Sequence, residues 1–204
     1  MSLPLRLGAS VVFPLGCIDC SNKQETYRAR RGAPPPNANL FVKRDPLGYV
    51  SNVFSLTMLG SGSAGNAALV STDHCRLLID GGLSGRQLVL RLALCGVRPE
   101  QLDGVLLTHE HGDHICGLEV LCRKYQVPIY CNALTAEAIR CGGLAQHRNW
   151  RLFRTGAEFS ICDITVQTFP VPHDAVEPVG YALHAGGCGL GFCLLYTSPS
   201  PRDS

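Results

Sequence analysis

The stretch Gly104–Gly117 reads GVLLTHEHGDHICG, and its reading decides the fold. An apolar run, Val105–Leu107, leads into Thr108. His109, His111, Asp113 and His114 then fall within six residues. His109 and His111 are two apart. In extended or loop backbone such residues point to the same side, so both imidazoles can meet one ion. Gly112 relaxes the backbone, and Asp113 and His114 on the following bend can face a second ion beside the first. Glu110 alternates to the opposite side and reads as a surface or supporting group. Neutral imidazoles and carboxylate oxygens suit Zn²⁺ first, with Mn²⁺ or Fe as alternatives. Two such ions roughly 3.5–4 Å apart can share a water and carry charge on attacking and leaving oxygens.

Two distant residues join this cluster. His173 lies in Val171-Pro-His-Asp-Ala175, directly after a strand ending at Phe169, and Pro172 stiffens its approach. It reads as the third ligand of the first ion. Asp80 ends the strand Leu77–Ile79 and precedes Gly81-Gly82. An acid at a buried strand end needs partners. Asp80 either steadies a ligand histidine through its ring N–H or caps the glycine turn. His74, His147 and His184 have no ligand context and read as ordinary residues.

The chain has 204 residues, 46% of them hydrophobic and 17% charged, enough for one domain with a tail. No apolar run reaches the roughly 18 residues of a membrane span, and no signal peptide is read. The eleven Cys lie mostly inside apolar segments, as reduced core-fillers of a cytoplasmic protein do. Cys17-Ile-Asp-Cys20 is an isolated CxxC. Residues 1–53 carry a net charge of +4 and residues 54–204 one of −2. The part that holds the chemistry offers no basic stripe for nucleic acid.

Residues 1–53 contain Arg28-Ala-Arg30-Arg31 and Pro34–Pro36 without sustained periodicity. They read as a disordered extension or as a start codon placed too far upstream, with a nucleic-acid-binding arm as the sharper alternative. Order is expected from Phe54. Strands are expected at Phe54–Leu59, Ala68–Ser71, Cys75–Asp80, Asp103–Leu107, Pro128–Cys131, Trp150–Phe153, Ile161–Phe169, Val179–His184 and Gly189–Phe192. Helices are expected at Arg86–Leu94, with Leu88, Leu90, Leu92 and Leu94 on a buried face, at Cys116–Gln126 and at Leu134–Arg140.

The residues Thr108–His114, THEHGDH, match the T-H-x-H-x-D-H signature of metallo-β-lactamase-fold hydrolases. LGSGSAGN (Leu59–Asn66), LLIDGG (Leu77–Gly82), GLEVLCRKYQVPIY (Gly117–Tyr130) and PVPHDAVEPVGY (Pro170–Tyr181) extend the match. Over Phe54 to about Phe192 the chain resembles the YycJ/WalJ-like branch. The resemblance implies an α/β fold, the four-layer αββα sandwich, with two divalent metal ions at one edge of its sheets. It implies that His109, His111 and His173 hold one ion. Asp113 and His114 hold the other and stand at the catalytic centre. Asp80 is the supporting acid, with Asp174 beside the site. His114 argues against the true β-lactamases that bring a cysteine to the second metal. The branch is associated with DNA 5′-to-3′ exonuclease activity. The implied function is a hydrolase in which a metal-bound hydroxide attacks a phosphodiester, its partner nucleic acid or a small phosphodiester. A thioester or lactone hydrolase of the same fold and a non-catalytic metal-binding scaffold are the alternatives.

The family places a bridging Asp in a T-D-x-G turn soon after the third His, and a last His in its C-terminal half. Here Gly189–Phe192 is followed by CLLYTSPSPRDS, which resembles a translated sequencing adapter. Residues 193–204 are read as a non-native tail, 54–192 as the N-terminal part of the domain, and the C-terminal half as incomplete. This chain alone is then expected to be inactive and to fold poorly, while the full gene product is an enzyme.

Overall fold

The computed structural model describes residues 9–12, 38–44, 50–141, 144 and 147–194. The basic run Arg28–Arg31, the Cys17–Cys20 pair and the tail beyond Leu194 lie outside the described residues. The strands are β1 (Ala9–Val12), β2 (Ala38–Arg44), β3 (Val50–Gly60), β4 (Ala67–Ser71), β5 (Arg76–Ile79), β6 (Gly104–Leu106), β7 (Ile129–Asn132), β8 (Trp150–Phe153), β9 (Glu158–Ile161), β10 (Ile164–Pro170), β11 (Val179–Ala185) and β12 (Cys188–Leu194). The helices are α1 (Gly85–Leu94), α2 (Gly112–Ile115), α3 (Leu118–Tyr125) and α4 (Ala133–Arg140).

Alternation along the strands sorts the apolar residues into two cores. On β5 and β6, Leu77, Ile79 and Leu106 face one side, while Leu78, Val105 and Leu107 face the other. The first set meets Ile164, Val166, Tyr181, Leu183 and Phe192 of the second sheet. The second set meets Leu88 and Leu92 of α1, Leu118 and Leu121 of α3, and Ile139 of α4. The layers are therefore helices, then a seven-stranded sheet, then a five-stranded sheet, in the orders β2-β3-β4-β5-β6-β7-β8 and β1-β12-β11-β10-β9. Strands β2–β5 are antiparallel, as is the whole five-stranded sheet. Strands β5–β8 run parallel, and each parallel step needs a crossover, which the helices supply. Ser84 caps α1 and Asn132 caps α4 through their side-chain oxygens. Among the described residues no helix is long and apolar enough to cross a membrane.

Several expectations change in detail. Leu90 and Leu94 of α1 are exposed, at 52% and 68%, because the 3.6-residue period carries only Leu88 and Leu92 to the core. The strand expected across Ile161–Phe169 is broken by a two-residue turn at Cys162-Asp163, where Cys162 has φ 51°. Ile161 and Ile164 flank that turn and Asp163 is its one polar residue, so the apolar run around it hides the break. In the segment read as an extension, β1 pairs with β12 and β2 with β3. Cys193 and Leu194, read as the start of the tail, complete β12.

Candidate metal centre

The centre forms where β5 and β6 end at their carboxyl termini and the loop after β10 crosses over from the other sheet. Asp80 follows β5 with φ 58°, a left-handed conformation that aspartate tolerates better than most residues. The bend turns its carboxylate toward β6, and the side chain is fully buried. There it accepts the backbone N–H of Thr108 at 2.9 Å and the Thr108 hydroxyl at 2.9 Å. The Nδ1 of His114 lies 2.7 Å from the same carboxylate. Asp80 therefore steadies a histidine ring and also anchors the turn.

This network dictates which ring nitrogens are free. The Thr108 hydroxyl gives its single proton to Asp80, so its oxygen accepts from Nδ1–H of His109, 2.9 Å away. His114 likewise donates from Nδ1. Both rings then carry their lone pair on Nε2. The Nε2 of His109 is buried and has no hydrogen-bond partner.

His111 is extended, at φ −64° and ψ 146°, just before α2. The two-residue spacing accordingly brings its ring to 4.5 Å from that of His109. His173 closes the group at 4.7 Å from His109 and 5.1 Å from His111. One ligand nitrogen of each of the three lies within 4.8 Å of the others. Asp113 and His114 sit to one side, with Oδ2 and Nε2 3.7 Å apart and the His114 ring 4.2 Å from that of His109. Burial, then the neighbouring imidazoles, push His109 down to about 2. His173 is lowered by burial, then by His111 and His114, against the pull of Asp174 and Asp113. Burial also opposes charge on His114, but the Asp80 carboxylate outweighs it and leaves His114 raised. The three clustered rings, one of them with a bare buried Nε2, fit a borderline divalent ion.

The loop carrying His173 is tied down at several points. Val176 N–H donates to Oε1 of Glu110 at 2.8 Å, and Asn132 donates to the Glu177 carbonyl at 2.7 Å. Val179 N–H donates to the Thr108 carbonyl at 3.0 Å. Glu110 thus turns away from its histidine neighbours and holds the third one in place. Asp174 is exposed and lies outside the donor group. His74 and His184 are exposed, and His147 packs edge-on against Trp150.

Sequence reasoning missed Asn66 and the role of Thr108, and read Glu110 as a surface or supporting group without naming the His173 loop as what it supports. The amide of Asn66 is 3.1 Å from Oδ2 of Asp113 and 3.1 Å from Nε2 of His114. Its backbone N–H donates to the Asp113 carbonyl at 2.8 Å, and its carbonyl accepts from Gly82 at 2.9 Å. A polar residue closing a glycine-rich loop was the available signal. Gly82 is required here, since a Cβ on it would stand 1.6 Å from the Asp113 carbonyl oxygen.

The sequence model of the Metallo-beta-lactamase superfamily matches residues 60–191. A curated relative called Exodeoxyribonuclease WalJ, from Streptococcus pneumoniae, is 40% identical over 131 residues, covering 63% of this chain and 49% of the relative. Exodeoxyribonuclease YycJ of Bacillus anthracis is 41% identical over 130 residues, with the same two coverages of 63% and 49%. The chain spans about half the length of the curated relatives it matches. Among solved structures, the metallo-beta-lactamase fold protein YhfI from Bacillus subtilis superposes with a TM-score of 0.56 at 22% identity, covering 67% of this chain and 59% of that one.

Proposed function

The chain belongs to the metallo-β-lactamase superfamily, and from that premise we propose that it serves a metal-dependent phosphodiesterase acting on DNA ends, an exonuclease working 5′ to 3′. The observation that carries the metal-dependent part is the buried, unpartnered Nε2 of His109 facing His111 and His173. The substrate class is supported by relatives named as exodeoxyribonucleases.

His109, His111 and His173 would hold one ion, and Asp113 and His114 would contribute to a second, Zn²⁺ foremost and Mn²⁺ or Fe next. Bound there, such ions supply Lewis acidity toward a phosphoryl oxygen and make water a competent nucleophile near neutral pH. Asp80 keeps the proton on Nδ1 of His114 and, through Thr108, on Nδ1 of His109. Asn66 orients the Asp113 carboxylate, and Glu110 positions the His173 loop. Asp174 stands at the rim, where its charge bears on His173. Residues 54–204 are slightly acidic, so the grip on DNA rests on the ions and on local groups. A reducing, cytoplasmic setting is part of this reading, supported by Cys122 and Cys131 as unpaired core-fillers.

The test compares turnover of end-labelled DNA, a chromogenic phosphodiester and a thioester by the metal-loaded full-length protein. His109→Ala and chelation serve as controls. DNA shortened from its 5′ end, with both controls inert, is the expected result. Faster thioester turnover would move the reading to an acyl hydrolase. Tightly bound metal with no hydrolysis of any substrate would leave a binding scaffold.

A further inference from the structure

A second cluster of ligand-type side chains lies at the opposite ends of the same strands. Cys75 precedes β5 and Asp103 precedes β6, whereas Asp80 and His109 follow them. Five to six residues of extended chain separate the two ends, about 16–20 Å. The β4–β5 turn, Thr72–Cys75, meets the two-residue β9–β10 turn, Cys162-Asp163, of the other sheet. Thr72 Oγ1 donates to Asp163 Oδ1 at 2.7 Å across that junction. On the near side, Thr72 Oγ1 accepts the backbone N–H of Cys75 at 2.9 Å. The Sγ atoms of Cys75 and Cys162 and a carboxylate oxygen of Asp103 all lie within 4.8 Å of one another. The histidine nitrogens of the first centre are grouped within the same limit.

We propose that Cys75, Cys162 and Asp103 form a separate site for a thiophilic divalent cation such as Zn²⁺, joining the two sheets at their turns. A tetrahedral zinc with Zn–S near 2.3 Å needs its sulfurs about 3.7 Å apart. The sulfurs lie within 4.8 Å of each other, so closing to that spacing asks for a shift of at most about an ångström, on a turn whose Cys162 is exposed. Asp103 is already oriented, because its Oδ2 accepts Arg76 N–H at 2.8 Å. Cys162 occupies the first position of a two-residue hairpin turn with φ 51°, where Gly or Asn is the unstrained choice. Its thiol stands within 4.8 Å of that of Cys75, whose own S–H donates to the Ile161 carbonyl at 3.5 Å, on the residue just before the turn. A disulfide between the two would make no use of the carboxylate, whereas a cation uses all three groups. Binding releases the two thiol protons to solvent and leaves two thiolates and one carboxylate around the dication, with water as the fourth ligand on the exposed side.

Cobalt(II) distinguishes this site from the histidine centre. The histidine centre offers only nitrogen and oxygen donors, so an intense near-ultraviolet sulfur-to-cobalt charge-transfer band arises only where cysteine binds. The full chain titrated with Co²⁺ under reducing conditions should develop that band. His109→Ala and Cys17→Ser should both keep it. Cys162→Ser, an exposed turn substitution whose folding is checked by its melting curve, should abolish it. Asp103→Asn should weaken cobalt binding there by at least about tenfold, since even removal of an outer partner costs roughly 10–100-fold. Absence of the band, its persistence in Cys162→Ser, or unchanged affinity in Asp103→Asn would overturn the proposal. So would a Cys75–Cys162 disulfide found by mass spectrometry in protein purified with Zn²⁺ present.

Discussion

The Nε2 of His109 is buried without a partner, and leaving such an atom bare costs about 1–3 kcal/mol. A cation facing that lone pair removes the penalty, provided Nδ1 keeps the proton. Asp80 enforces this through Thr108, and on His114 directly. Asp80→Asn offers an amide whose N–H₂ can face a donor, which disturbs both tautomers. Metal affinity should then fall roughly 10–100-fold, read by competition with a chromogenic chelator; unchanged affinity would remove Asp80 from this role. Titration behaviour follows from the same residues. His109 lies far below the ordinary 6.5, at about 2, and His173 is also lowered, while His114 is raised. In metal-free protein below pH 6.5, the unfolded chain binds a proton on His109 that the folded chain refuses. Stability then falls with falling pH, by up to about 1.4 kcal/mol per pH unit for that residue. The contribution of His114 has the other sign, being fully present below 6.5 and lost as pH rises through its raised value. The cluster's contribution should therefore peak near pH 6.5. Saturating Zn²⁺, which requires neutral imidazoles, should move the optimum upward. Urea unfolding between about pH 5 and pH 8, with EDTA and with Zn²⁺, measures both curves. A metal-free stability that climbs steadily through that range would contradict the assignment. The cluster of ligand-type side chains was legible because Thr108–His114 packs four of them into one bend. Asn66 was hidden because its role depends on a loop folding back onto α2.

At the scale of elements, the loop 171–178 brings His173 of one sheet beside His109 and His111 carried by the other. Its link to Glu110 is partly exposed, so Glu110→Ala should cost only about 1 kcal/mol of stability. The larger effect should be local, with faster hydrogen exchange and proteolysis across 171–178 and weaker metal binding. Glu110→Gln, whose amide oxygen still accepts from Val176, should restore most of both. Equal loss in the two variants would mean that charge, rather than the hydrogen bond, is what matters. Gly82 tests the other wall of the centre. A methyl group there meets the Asp113 carbonyl oxygen at 1.6 Å, so Gly82→Ala must push β5 and α2 apart. Loss of metal affinity well before loss of the fold is the expected outcome, measured by chelator competition beside circular dichroism. Elements with a single clear period were readable, α3 above all, where Leu118, Leu121 and Cys122 are buried as their spacing requires. The β9–β10 hairpin was not, because Cys162 turns the chain with a residue that carries no turn signature. The parallel strands β5 and β6, buried from Leu77 to Ile79 and from Gly104 to Leu106, read as apolar runs, and their order in the sheet depends on crossovers that local pattern does not encode.

Across the whole molecule, few polar links join the two sheets near the histidine centre. The Tyr181 hydroxyl donates to the Leu107 carbonyl, and Val179 N–H donates to Thr108. His173 adds ring contacts to His109 and His111. A cation held by all three histidines would tie the five-stranded sheet to the seven-stranded one, because two ligands follow β6 and the third follows β10. Binding to the folded state alone stabilises by mass action, about 2.7 kcal/mol at a free concentration 100 times Kd. For a domain of this size that is a rise in Tm of roughly 5–10 °C. The shift should appear in a Cys162→Ser background, which isolates the histidine centre from the Cys75–Cys162–Asp103 group. His173→Ala should melt near the parent temperature without metal, since the ring is only half-buried, and should lose most of the metal-induced rise. Hydrogen exchange should show the added protection in β10 and β11 as well as in β6. Protection confined to β6, or a full rise in His173→Ala, would mean that the ion rests on one sheet alone and that the fold does not use the centre to fasten its layers.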